Sequence, residues 1–288
     1  MLDITENEII KILPIEGPSP KEVKKYLNKY NKEYLVIKCG GSVLDEINLF
    51  DYFIKDISIL DKLGLIPIII HGGGKRISNT LETSGIKSNF INGLRVTDKK
   101  SITIVDDVLN EFNKQITNAL KKNGCISQNI NNREKNIITV EQENEELGYV
   151  GTPKEINQSI IDKTIQEKRI PVIAPLGLDK KKQVFNINAD TVAGAVAKKL
   201  NARRLIMMSD VEGVLDKNNK LLSEIDTKKI NDLIENKTIT GGMIPKIKNC
   251  LDVVSNGVKG VVIIDGRKKH SILFELLSDK GSGTLIRK

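Results

Sequence analysis

The stretch Leu65–Ile77, LIPIIIHGGGKRI, takes an apolar run into a histidine, three consecutive glycines and two cations. Isoleucines suit a buried strand, and one glycine would serve the turn after it. Three glycines strip side chains from successive N–H groups, so an anion can approach them closely, and a helix that follows adds the positive end of its dipole. A second pair, Gly40 and Gly41, comes just after Lys38 at the end of another short apolar run, EYLVIKCGGSVL. A lysine beside unscreened N–H groups is chemistry for holding a phosphate or a carboxylate.

The elements that must position these residues follow from periodicity. A helical pattern through NLFDYFIKDISILDKLG, stopped by Gly64, joins the two runs, and strand, helix, strand is a parallel βαβ unit. Ligands of such units gather at the carboxyl ends of the strands, so Lys38, Gly40, Gly41 and Gly72 to Gly74 are expected to face one crevice. Residues 1–33 read as an N-terminal arm, with Val23, Leu27 and Tyr26 or Tyr30 at helical spacing after Ser19-Pro20. Residues 99–123 read as a long helix, and 125–152 as short strands and turns forming a hairpin or lid, too polar for a continuous core element. A helix at about 156–168, a strand in RIPVIAPLG, an Ala-rich helix in NADTVAGAVAKKLN and a strand in RRLIMMSDVEGVLD resume the βα alternation. Helices at about 227–235 and 241–256, the strand GVVIID and a final edge strand, SGTLI, are expected to complete it.

Composition excludes several classes. The net charge of +8 favours anionic partners, yet the lysines are interleaved with Glu and Asp. A nucleic-acid-binding regulator, suggested by the run DKKKQ at 179–183, is a remote alternative, because aromatic residues make up only 4% and Trp is absent, leaving no stacking platform. Cys39, Cys125 and Cys250 are far apart, without zinc spacing or disulfide density, which fits a reducing cytoplasm or, for a plastid-encoded chain, a stroma. The start of the chain lacks the basic-then-apolar order of a signal peptide, and no apolar run approaches the roughly 18 residues of a membrane span.

Five separated motifs, VIKCGGSVL, IIIHGGGKRI, INGLRVTD with FNINADTVAG, LIMMSDVEGVLD and TGGMIPKI, occur in an order that resembles the amino acid kinase family, from about residue 22 to the C-terminus. The likeness is to members that phosphorylate the γ-carboxylate of N-acetyl-L-glutamate with ATP and Mg2+ in arginine biosynthesis. It implies an α/β fold, a three-layer αβα sandwich around a central, mainly parallel sheet. It also implies two lobes, 34–175 for the acyl amino acid and 176–288 for the nucleotide. The chemistry is consistent: a carboxylate, with a pKa of about 4, is already ionised and needs no general base. What the reaction needs is charge stabilisation on the moving phosphoryl group and alignment of two mutually repelling anions. By resemblance, Lys38 and Lys246 stabilise the transition state, Asp190 holds the lysines, and Gly41 and Gly73 donate to phosphoryl oxygens. Gly73, Gly74, Arg95, Asn186 and Asn188 bind the acyl amino acid, Arg95 offering its planar fork to the α-carboxylate. Asp210, Val211, Glu212, Gly213, Val214, Leu215, Thr238, Ile239 and Thr240 contact the nucleotide, which itself carries the magnesium, with no metal ligand from the protein. Asp190 also suits a helix cap. Lys75 and Arg76 depart from the Pro and polar residue usual after the third glycine, and would either strengthen anion binding or point to solvent.

The arm EVKKYLNKYN resembles the helix that arginine-inhibited members use to build a hexamer from dimers, and KKHSILFELLSDKGSGTLI resembles their effector site. Tyr26, His270, Glu275 and Gly281 are then expected around an arginine effector, with Glu275 as the guanidinium partner. A homodimer or a homohexamer is implied, with neither nucleic acid nor membrane as partner. Glutamate 5-kinase, aspartate kinase and uridylate kinase are the alternatives within the family. The first two would normally carry further domains, and the third would lack the NGLRVTD and NINAD pair.

Overall fold

A computed structural model describes residues 4–40, 43 and 45–288. The first half contains α1 (Glu6–Ile12), α2 (Pro20–Tyr30), β1 (Tyr34–Cys39), α3 (Ile47–Lys62), β2 (Ile66–His71), α4 (Gly74–Thr83), the hairpin β3 (Phe90–Ile91) and β4 (Leu94–Arg95), and α5 (Lys99–Lys122). Then come β5 (Ser127–Ile130), β6 (Ile138–Gln142), β7 (Gly151–Ile156), α6 (Gln158–Gln166), β8 (Ile170–Ile173), β9 (Leu176–Leu178), β10 (Val184–Asn186), α7 (Ala189–Lys199) and β11 (Arg204–Ser209). The chain closes with β12 (Glu224–Asp226), α8 (Thr227–Glu235), α9 (Met243–Ser255), β13 (Val261–Asp265), α10 (Ser271–Leu277) and β14 (Gly283–Arg287).

Eight strands form the central sheet in the order β12-β14-β13-β11-β1-β2-β8-β5. Every pairing is parallel except β13 with β14. Alternate side chains of each strand enter two different cores, as the twofold strand period requires. Val36, Ile68 and Leu205 pack under α6 to α9, while Leu35, Ile37 and Ile206 pack under α1 to α3, α5 and α10. The result is the three-layer α/β arrangement expected. A four-stranded sheet, β10-β9-β6-β7, stands apart from it.

Register brings the site-bearing ends together. Cys39 lies opposite His71, Lys38 opposite Met207 and Ser209 opposite Asp265, so β2, β1, β11 and β13 all end along one edge. The Gly72 N–H donates to the Cys39 carbonyl at 2.8 Å, tying the second glycine turn to the end of β1.

Three local expectations are corrected. SGTLI is not the edge: β14 lies between β13 and β12, and β12 is the outermost strand. The 125–152 segment divides, because Ser127–Ile130 joins the central sheet beside β8 while β6 and β7 pair as a separate hairpin. The arm belongs to the protomer's own core: α2 starts at a Ser19/Glu22 capping box, and Val23, Leu27 and Tyr30 are 0%, 1% and 1% exposed. Each such buried apolar side chain contributes about 1.5–3 kcal/mol, more than a surface ion pair at about 0–1 kcal/mol, so packing and not charge holds the arm.

Candidate active site

A cavity of about 230 Å3 opens at the strand ends, lined by Lys38, Gly72 to Gly74, Arg95, Asn186, Asn188 and Asp190. The topology brings these residues together: β1 supplies Lys38, the β2–α4 turn the glycines, β4 Arg95, the end of β10 Asn186, the connection after it Asn188, and the start of α7 Asp190. Gly41 lies outside the described residues.

Lys38, only 9% exposed, places Nζ 2.8 Å from Asp190 Oδ1, and Lys246 places Nζ 3.4 Å from Oδ2 of the same carboxylate. Burial alone would raise the Asp190 carboxyl, but the ammonium groups of Lys38 and Lys246 outweigh it and hold the group below the usual carboxylate range. One carboxylate thus gathers two cations from different elements, β1 and α9. The α7–α9 contact that allows this is close: a Cβ on Gly194 would meet Val253 Cγ2 at 2.9 Å. Asp190 is not the helix cap. Asn188 is, its Oδ1 accepting from the N–H groups of Asp190 and Thr191 and leaving its amide NH2 for the cavity.

Arg95 is 7% exposed. One of its terminal nitrogens donates to Ser88 Oγ at 2.5 Å, and the other to the Gly74 carbonyl at 2.8 Å and Ser78 Oγ at 2.9 Å. Burial lowers its pKa, and among the described residues no carboxylate forms an ion pair with it. Its charge is thus met by neutral acceptors and the Phe90 ring rather than by a carboxylate. Asn186 Nδ2 makes a long 3.4 Å contact to Thr97 Oγ1 and its side chain otherwise faces the cavity.

The two glycines differ. A Cβ on Gly73 would lie 2.6 Å from Leu109 Cδ2, so packing requires glycine there, whereas a Cβ on Gly74 would meet nothing within 4 Å and would stand in open space where a ligand fits. Of the two cations that follow, Arg76 does not line the cavity and is half-buried: its Nε donates to Asp45 Oδ1 at 2.8 Å, and its guanidinium lies 3.9 Å from the Phe112 ring centre. Lys75 is exposed.

Phe90, Gly93 and Leu94 also line the cavity and were not singled out beforehand. The available signal was the Asn92-Gly93 pair, whose φ values of 51° and 81° fit the hairpin turn that such a dipeptide favours. This turn folds Phe90 back over the Arg95 guanidinium, 4.7 Å from the ring centre.

Residues 33–265 match the model of the amino acid kinase family. The chain belongs to the amino acid kinase family. It is similar to a protein called acetylglutamate kinase in Pelagibacter ubique (strain HTCC1062), 63% identical over 287 residues, which span 100% of both chains. It is also similar to one so named in Campylobacter hominis, at 43% over 264 residues, 91% of this chain and 93% of the relative. Among solved structures, the N-acetylglutamate synthase of Neisseria gonorrhoeae, complexed with coenzyme A and L-arginine, has a TM-score of 0.81 at 21% identity. It covers 93% of this chain, but the chain spans only 64% of that protein, and the likeness is one of fold.

The residues that family resemblance had assigned to nucleotide and effector lie outside this cavity. Asp210 to Leu215 follow β11, and within them Val214 is a core residue whose N–H donates to Thr284 Oγ1 at 2.8 Å. Ile239 is likewise core, 2% exposed, between the half-buried Thr238 and the exposed Thr240. Gly213, at φ 141°, packs against Thr284, where a Cβ would sit 2.5 Å from Oγ1, and exposed Glu212 pairs with Lys268 at 2.8 Å. Asp210 is exposed and Val211 and Leu215 are half-buried.

At the α2–α10 corner, Tyr26 donates its hydroxyl to Asp279 at 2.7 Å, and Glu275 accepts from the Ser282 N–H at 2.8 Å, beside the left-handed Gly281. Burial raises the Glu275 carboxyl despite the nearby Arg204 and Lys29. His270 does not share this arrangement. Its Nδ1 lies 2.6 Å from buried Asp56, and its ring meets Tyr52 edge-on.

Proposed function

We propose that this chain transfers the γ-phosphoryl group of ATP to the γ-carboxylate of N-acetyl-L-glutamate, giving N-acetylglutamyl 5-phosphate, the second step of arginine biosynthesis. The observation that carries the reading is the buried Arg95, lacking a carboxylate partner among the described residues, on the same cavity wall as the Lys38–Asp190 pair. The full-length likeness to proteins called acetylglutamate kinase supports it.

The reacting carboxylate oxygen attacks the γ-phosphorus as the bond to the β,γ-bridging oxygen breaks. No proton has to move. Lys38 and Lys246 offset the charge on the transferring group from two sides, and Asp190, by pairing with both, fixes the separation of their ammonium groups. Gly41 and Gly73 donate N–H groups to phosphoryl oxygens. Gly73, Gly74 and Arg95 receive the acyl amino acid, Arg95 taking its α-carboxylate. Asn186 and the free amide NH2 of Asn188 face its N-acetyl group. Asp210 to Leu215 and Thr238 to Thr240 hold the nucleotide. Mg2+ carried by ATP would screen the phosphates, held by the nucleotide itself, since Asp190 is already paired with two lysines.

Residues 34–175 form the acyl-substrate lobe and 176–288 the nucleotide lobe, joined by one sheet, with the β6-β7-β9-β10 sheet straddling the boundary. The protein works in the cytoplasm as a homo-oligomer. Among the described residues no helix is long and apolar enough to cross a membrane. Arginine inhibits it at the corner of Tyr26, Glu275 and Gly281; His270, bound to Asp56 at the other end of α10, stands apart from that corner.

An ATP-dependent hydroxamate assay across N-acetylglutamate, glutamate, aspartate and carbamate tests the reaction by trapping acyl phosphate. N-acetylglutamate is expected to exceed glutamate by about 10² or more, since the asparagines are left unpaired without the acetyl group. Equal rates with glutamate would overturn the substrate assignment. For the effector, deleting the arm is unsuitable because α2 is core; Tyr26→Ala and Glu275→Ala are the variants, read by arginine titration and light scattering. Glu275→Ala is expected to weaken arginine binding by about 2–5 kcal/mol, and indifference of the parent protein to millimolar arginine would refute the regulatory reading.

A further inference from the structure

His71 ends β2 directly before the three glycines, fully buried, behind the cavity wall rather than on it. The reaction proposed above leaves it without a task, yet its hydrogen bonds admit one pattern only. The carbonyl of Val172 can only accept, so Asn113 Nδ2, 3.0 Å away, donates to it. The second hydrogen of that amide points to His71 Nε2 at 3.1 Å, which must therefore offer its lone pair. The ring proton is left on Nδ1, 2.9 Å from the Gly72 carbonyl, another acceptor. Burial, with Arg76 adding to it, lowers the imidazole pKa to about 4, so the ring is neutral near pH 7.

The Gly72 carbonyl and the Gly73 N–H belong to one planar trans peptide and point in opposite directions. Fixing the first therefore fixes the second. The Gly72 N–H is itself anchored on Cys39, so the peptides on both sides of its Cα are held. We propose that Asn113, anchored on the Val172 carbonyl of β8, and His71 form a hydrogen-bond relay, donating from the Asn113 amide through the imidazole to Gly72, that turns the Gly72 carbonyl inward and thereby aims the Gly73 N–H at the ligand. His71 is a positioning residue, and Asn113 sets its tautomer. The inference rests on the reading of Gly73 as a donor to the phosphoryl group.

Histidine side-chain 1H–15N correlation spectra of the intact protein test the relay directly. The chain has two histidines, so His71→Asn assigns the signals. The His71 signal is expected as the Nδ1–H tautomer, unchanged between about pH 6 and 8; an Nε2–H tautomer, or titration in that range, would overturn the relay. Kinetics supply the second arm. His71→Phe fills the space without a donor and is expected to lower kcat about 10²-fold with the KM for ATP within about twofold, while His71→Asn, which keeps an amide N–H near the place of Nδ1, regains about tenfold. Equal loss in both variants, or wild-type kcat in His71→Phe, would refute it. If the wild-type protein fails to phosphorylate N-acetylglutamate, the substrate assignment falls while the spectra still judge the relay.

Discussion

On the Arg95 side of the cleft, the glycine turn is held by Cys39 and His71 through Gly72, by Leu109 against Gly73 and by Arg95 on the Gly74 carbonyl. On the opposite side, Gly241 and Gly242 open α9 with nothing within 4 Å of an added Cβ and no side-chain cap. The lysines repeat the contrast. Lys38 lies 2.8 Å from Asp190 with its side chain 11% exposed, and Lys246 lies 3.4 Å away at 19%. A cation near a helix N-terminus opposes the dipole, and at Lys246 the Asp190 carboxylate offsets this from a greater distance than it holds Lys38. On the proposed reading, the difference separates a substrate turn held by the protein's own packing and hydrogen bonds from a phosphate subsite that draws part of its stabilisation from the nucleotide.

The largest expected effect probes that contrast at the lysines. Lys38→Ala and Lys246→Ala each lower kcat by about 10² or more, and only Lys246→Ala also raises the KM for ATP appreciably. Steady-state kinetics with both substrates varied would break the comparison if the two variants behaved alike. Next in size is Arg95→Lys, which keeps the charge but loses the fork: the KM for N-acetylglutamate rises about tenfold or more and that for ATP stays within about twofold. Equal changes would make Arg95 a strut for the hairpin instead.

The glycines sharpen the same contrast through stability. Gly73→Ala forces a methyl group onto Leu109 and costs about 1–3 kcal/mol in urea denaturation, partly relieved in a Gly73→Ala/Leu109→Ala double variant. Gly74→Ala leaves the denaturation midpoint nearly unchanged while weakening substrate binding. The smallest effect is at acid pH. Because the Asp190 carboxyl is held below its unfolded value of about 4, its stabilisation is complete above that pH and is lost as pH falls through the lower native value. The stability gap between wild type and Asp190→Asn is therefore constant from about pH 5 to 7 and narrows only below about pH 4. A gap that narrows near neutrality would contradict the ion-pair account.

Much of this was legible before the fold was known, for uneven reasons. Lys38 and the glycine turn stood out because a charged or side-chain-free end to an apolar run is rare where packing alone decides. Asp190 and Lys246, 56 positions apart, were assignable only through family resemblance, since no local pattern announces an ion pair across two helices. The place of Arg76 against Asp45 and Gln115 was not foreseen, because these partners are 31 and 39 positions away. The inward place of β14 was hidden because a five-residue apolar strand has the same pattern beside one neighbour or two. The Val23 and Leu27 spacing announced an amphipathic helix, but periodicity does not say whether the partner is this chain or another copy.

One consequence concerns how such a protein can change over generations. Helix α5 carries Leu109 beneath Gly73, Phe112 beneath Arg76 and Asn113 beneath His71. These positions look like an ordinary core stripe, where exchanges of similar volume are usually tolerated. Here each backs a different residue of the substrate turn. Drift along this stripe would retune catalysis before it cost the fold, so substrate preference in descendants of this chain is expected to covary with the helix face that backs the turn.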